Sequence, residues 1–162
     1  MSPGPPARVK TPSRNRPWLA SAAVANVSGL AVRSHGLLVP PGSVEDIPFV
    51  TRPIAEGGVL ERKGMVEVIS SLEANGRKIP YDIRMGVWIT VEGETEYIRN
   101  CFEEYNAHTD PSGRYFTLYQ RWHLIGLEVG VSVASVALRG EATGVAECWN
   151  ADVVATAKRD LK

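Results

Sequence analysis

The chain has 162 residues, 18 basic and 18 acidic, so its formal charge is zero. That length suffices for a domain with a real core, and 44% hydrophobic with 22% charged residues is the balance of an ordinary globular protein. No run approaches the roughly twenty apolar residues of a membrane span, and Cys101 and Cys148 are too few and too far apart for a disulfide scaffold or a C-x-x-C site.

In chain order, residues 1–16 come first. They are proline-rich and carry Arg8, Lys10, Arg14 and Arg16 with no acid. Such a segment buries too little apolar surface to offset its ordering entropy, so a disordered basic arm is expected. It lacks the apolar stretch of a secretory signal. Four charges form no large patch, and the mildly acidic remainder has no basic, aromatic-studded face, so nucleic acid is not an expected partner. With both cysteines read as reduced thiols, the expected location is cytoplasmic.

Pro17 suits a first helical turn, and Trp18–Val27 reads as an Ala-rich helix ended by Ser28-Gly29. Ser43 with Asp46 predicts a short capped turn stopped by Pro48. Met65–Leu72 alternates as a strand, and Asn75-Gly76 is a tight-turn pair that predicts an antiparallel return over Lys78–Ile83. Gly86–Glu92 is β-branched and aromatic-rich, a further strand. Thr95 caps a helix over Glu96–Tyr105, and Thr109-Asp110-Pro111-Ser112-Gly113 is a turn. Tyr115–Tyr119 is a strand. Leu124–Leu138 is apolar with small residues, which predicts a buried helix packed on a sheet. Asp152–Lys158 is the last strand. Strands and helices are mixed rather than alternating. The expected fold class is therefore α+β, with a mixed or antiparallel sheet of about four strands and helices mainly on one face.

Several blocks recur in an order known elsewhere. They are Leu118-Tyr119, His123-Leu124-Ile125-Gly126-Leu127-Glu128, Ala137-Leu138-Arg139-Gly140-Glu141-Ala142-Thr143 and Ala157-Lys158-Arg159-Asp160-Leu161-Lys162. Upstream stand Ala23-Val24-Ala25-Asn26, Gly57-Gly58, Lys63-Gly64-Met65-Val66-Glu67-Val68 and Tyr97-Ile98-Arg99-Asn100-Cys101-Phe102. Over roughly residues 17–162 the sequence resembles the homoserine dehydrogenase-like NAD(P)-dependent oxidoreductases, some of them 1-deoxy-D-xylulose 5-phosphate reductoisomerase-like. Gln120-Arg121-Trp122 departs from the family's Arg-Pro-Tyr.

The resemblance implies an oxidoreductase using NAD(P)H on a small-molecule substrate, with a divalent metal if the chemistry is that of a reductoisomerase. It implies a nucleotide-binding half before this region and a small β-rich SAF-type domain after it. The chain has no G-x-G-x-x-G run between a strand and a helix, which a dinucleotide's phosphates require. It is therefore expected to be the middle, catalytic segment, a single domain over 17–162 that is inactive without a separate nucleotide-binding polypeptide. A different reading makes it a non-catalytic oligomerisation module, since a lone sheet and an apolar helix favour homo-oligomers.

His123 stands where a strand gives way to a helix. An imidazole there binds phosphate as a cation or acts as general acid and base near neutral pH. It equally serves as a histidine that hydrogen-bonds the helix start beside Trp122. Glu128, five residues on in an apolar run, reads either as orienting His123 or a cation such as Lys63, as a metal ligand, or as one half of a buried ion pair. Lys63 reads as a cation at a strand mouth that polarises a carbonyl or binds phosphate, or as a solvated loop lysine. Lys158-Arg159-Asp160 reads as a contact to the cofactor or a following domain, or as the wet face of a strand.

Overall fold

The computed structural model describes residues 7–10 and 17–154. The described residues fall into two compact units. One holds the described residues up to Val39, Gly64–Val68 and those from Ala142 on, and the other holds Pro40–Lys63 and Ile69–Glu141. The fold class is α+β, as expected, but the four strands form two separate pairs rather than one sheet.

In the first unit, α1 (Pro17–Ser28) starts at Pro17 and ends before Gly29, which takes the left-handed φ of 71°. Ala22 and Ala25 pack on Ala151, flanked by Val32, Val66 and Val153. Alanines at this seam let helix and strand approach closely. β4 (Ala151–Val154) pairs in parallel with β1 (Ala7–Lys10), which lies inside the segment expected to lack structure. The open edge of β4 supplies the backbone partners that hold those four residues, and a ladder of that kind needs no large apolar face. The rest of the arm, and the expected strand beyond Val154, lie outside the described residues. Asn26 ties the unit together. Its Oδ1 accepts from Asn150 N at 2.8 Å and Ala151 N at 3.0 Å, and its Nδ2 donates to Ala151 O at 3.1 Å.

The continuous strand expected over Met65–Leu72 is broken into isolated bridges, Met65 with Ala31, Ser70 with Pro41 and Leu72 with Lys78. Glu67 explains the interruption. Its buried carboxylate accepts from Leu38 N at 3.0 Å, Val39 N at 3.2 Å and Val68 N at 2.9 Å, so backbone donors go to a side chain instead of a ladder. Val39 is held there at φ 54°, a left-handed value that β-branched residues rarely adopt.

The second unit is built on an antiparallel pair, β2 (Val87–Glu92) with β3 (Tyr115–Gln120). Cross-strand partners share a face. One face puts Thr90 against Thr117, and a hydroxyl chain runs from Thr117 through Thr90 to Thr51 at 2.8 and 2.7 Å. Trp88 lies on this face and packs on the core of Val44, Ile47, Ile69 and Ile83. The other face is half covered by α3 (Glu96–Glu104), whose Phe102 ring lies 5.1 Å from that of Phe116. Thr95 caps α3 as expected, accepting from Ile98 N at 3.3 Å. The Asn75-Gly76 turn also forms, with Gly76 at φ 86°, but the return keeps only short bridges rather than a strand over Lys78–Ile83.

Two further expectations are corrected. Pro48 does not stop the Ser43–Asp46 turn. It sits in the first turn of a short helix, α2 (Ile47–Val50), where its missing N–H costs nothing. The last helix, α4 (Ile125–Arg139), is not buried: Leu127 is 79% exposed, Val131 68% and Leu138 84%. No element among the described residues covers these side chains, so apolar composition alone misstates their surroundings.

Candidate functional site

α4 begins directly after the loop that follows β3. The loop is pinned by His123 N donating to Met85 O at 2.6 Å. The His123 Nδ1 is paired with Glu128 Oε2. Glu128 stands in the first turn of α4, and its other oxygen accepts from Leu124 N at 3.3 Å and from Gln120 Nε2 at 3.1 Å. One carboxylate thus does two tasks. It satisfies a backbone donor at the helix start, where negative charge is favoured, and it fixes the imidazole. With Nδ1–H donated to the carboxylate, the neutral ring presents its lone pair at Nε2, the arrangement of an oriented base. The reading of Glu128 as a buried charge is corrected, because its side chain is 34% exposed and that of His123 38%.

The structure brings His123 and Glu128 together and leaves Lys63 apart. Lys63 pairs with Glu92, which faces Tyr115 at one end of the β2–β3 ladder, whereas Gln120 ends the other. Five strand steps separate the two ends by roughly 17 Å. Lys63 belongs to a second cluster. Arg114 Nε donates to Glu92 Oε1 at 2.6 Å, Arg114 Nη1 reaches Glu56 Oε2 at 3.1 Å, and the Tyr115 hydroxyl donates to the same Glu56 oxygen at 2.7 Å. The hydrogen bond from Lys63 outweighs the effect of burial and, with that from Arg114, holds the Glu92 carboxyl below the usual range. Burial pushes the Tyr115 phenol up, and its bond to Glu56 adds to the shift. In this cluster two cations face two carboxylates, an arrangement that locks the Lys63 loop and the single 3₁₀ turn Ile54–Glu56 to β2 and the start of β3.

Sequence reasoning missed Asp110. Its side chain is fully buried and accepts from Arg52 Nη1 at 3.1 Å, Ser112 Oγ at 2.7 Å, Arg114 N at 3.1 Å and Tyr115 N at 2.9 Å. Burial alone would raise its carboxyl, but the hydrogen bonds from Tyr115, Ser112 and Arg114 prevail and hold it low. The signal was present as an Asp opening a Pro-Ser-Gly turn, although nothing local marks Arg52 as its partner.

Among the described residues no group of three or more His, Cys, Asp and Glu is placed to hold a metal. The described strands β1 and β4 pair in parallel although they lie far apart in sequence. No described helix is long and apolar enough to cross a membrane. Lys158-Arg159-Asp160 lies outside the described residues.

An α+β scaffold with a carboxylate-oriented histidine at a strand–helix junction suits a catalytic domain that moves protons. Residues 17–129 match the sequence pattern described as Oxidoreductase DRL, catalytic domain, and the chain belongs to that family. The match takes in His123 and Glu128 and ends within α4. A search of curated proteins finds no match.

Proposed function

We propose that this chain is the substrate-handling catalytic part of an NAD(P)-dependent oxidoreductase of the homoserine dehydrogenase-like, reductoisomerase-like kind. In this reading His123 exchanges a proton with a substrate oxygen through Nε2, and Glu128 holds the ring and stabilises the imidazolium. The single observation that supports it is the Nδ1–Oε2 pair at the head of α4. In this reading the chain binds and orients the substrate and moves its proton, and the redox step belongs to a nicotinamide cofactor. A nucleotide-binding polypeptide would supply that part, and a divalent metal, if the reaction uses one, would take ligands beyond this pair. Lys63 is proposed as a lock of the Glu92–Arg114 cluster rather than as a cation that polarises a substrate carbonyl or binds phosphate.

The test is Glu128→Gln, assayed with NADPH or NADH and the nucleotide-binding half. The amide no longer stabilises an imidazolium, and turnover is expected to fall about tenfold or more. The thermal midpoint should stay within a few degrees, since an exposed pair is worth only about 0–1 kcal/mol. Equal turnover in the two proteins would remove Glu128 from the site.

A second reading, self-association, has its own observation in the uncovered apolar side chains of α4. Patches of this kind mark interaction surfaces. Sedimentation equilibrium is expected to give a multiple of the monomer mass, and Leu127→Glu with Val131→Glu should shift it toward monomer. A monomeric wild-type chain at high micromolar concentration would defeat this reading.

A further inference from the structure

Among the described residues four other than glycine have left-handed backbone, and two of them, Tyr81 at φ 54° and Met85 at φ 62°, lie in one short loop. Such strain collects where a loop is held for function. Both strained residues meet the segment that carries His123. Met85 O takes the His123 N–H, as described above, and the Tyr81 ring lies 5.9 Å from the Arg121 guanidinium carbon. The Trp122 ring lies 5.5 Å from the same carbon. Tyr81 is 65% exposed and Trp122 62%.

The charge of Arg121 is left unanswered. On the loop beneath it, Asp82 is bound by Arg84 through both its carboxylate oxygens, at 2.8 and 3.0 Å. On the helix side, Glu128 is taken by His123, Gln120 and Leu124 N. Among the described residues Arg121 therefore meets aromatic rings and no carboxylate. A guanidinium resting against rings keeps its five in-plane N–H donors for a ligand, and their fork matches the oxygens of a carboxylate or phosphate.

We infer that Arg121, carried by Tyr81 and Trp122, binds the oxyanion group of the substrate handled by His123. The inference rests on the proposed role of His123 and names the substrate class: an organic carboxylate or phosphate ester whose apolar part lies against the exposed rings. The two-residue spacing of Arg121 and His123 keeps anchor and acid/base on one short, pinned segment.

The experiment titrates the ¹⁵N-labelled full chain with inorganic phosphate and, separately, with succinate, against sodium chloride at matched ionic strength. The Nε–Hε resonance of Arg121 is followed. A saturable shift with at least one of the two anions and none with chloride is expected. Saturation by phosphate alone assigns a phosphate ester, by succinate alone a carboxylate, and by both an oxyanion site that takes either. Arg121→Ala should weaken that binding about tenfold or more, because a charge-assisted bidentate contact is lost. Arg121→Lys should fall between, keeping the charge without the fork. No saturable shift with either anion, or equal affinity in Arg121→Ala with its thermal midpoint retained, overturns the inference. Because binding is read without turnover, the result is independent of what His123→Ala does to the rate.

Discussion

His123→Ala is expected to lower turnover about 10²- to 10⁴-fold, the usual contribution of a positioned acid/base, and to leave the fold intact. The two effects separate because of how the residue is held. Its backbone N–H to Met85 O survives the substitution. The side chain is 38% exposed and among the described residues pairs with Glu128, itself 34% exposed, so the stability lost with it is about 0–1 kcal/mol. Steady-state turnover with nicotinamide cofactor, measured in the presence of the nucleotide-binding half, and a thermal melt on the same protein check both parts. Near-wild-type turnover would leave the strand–His–helix block as packing alone.

Asp110→Ala acts in the opposite way and is expected to destabilise the second unit by about 3–5 kcal/mol without touching the His123 end of the ladder. Removing one partner of a buried, hydrogen-bonded charge leaves the others unsatisfied. Here Arg52, Ser112 and two backbone donors at the start of β3 lose their acceptor together. Urea unfolding gives the number, and a loss under 1 kcal/mol would contradict it. The same carboxylate sets an acid limb. Its folded pKa lies below the ordinary value of 3.8, so as pH falls the unfolded chain takes up the proton first. Its contribution is therefore whole above about pH 5 and is lost as pH drops through about 4 and below. Glu92, held below its ordinary 4.5 mainly by Lys63, adds a loss of the same sign. In Asp110→Asn the acid limb of the urea midpoint should be shallower than in the parent chain.

Features written in local sequence were readable in advance. Thr95 and the apolar face of α3, the Asn75-Gly76 turn, and the β-branched and aromatic runs of β2 and β3 each depend on neighbours a few residues away. His123 and Glu128 belong to the same group, since five residues place both at one helix start. What escaped the sequence depends on distant partners. Glu67 interrupts a well-patterned strand by accepting from Leu38 and Val39, nearly thirty residues back. Lys63 finds Glu92, and Arg114 reaches Glu56, 58 positions away. The apolar pattern of α4 announced a helix correctly but not its exposure, because a pattern records what a face can bury and not whether anything covers it.

The claim on which the rest depends is that Glu128 holds His123 with its proton on Nδ1. Long-range ¹H–¹⁵N correlation of the imidazole rings, at a pH where His123 is neutral, reads this directly. A protonated Nδ1 and an unprotonated Nε2 are expected for His123, with that preference lost in Glu128→Gln. A proton on Nε2 in the parent chain, or a ring indifferent to the substitution, would contradict it.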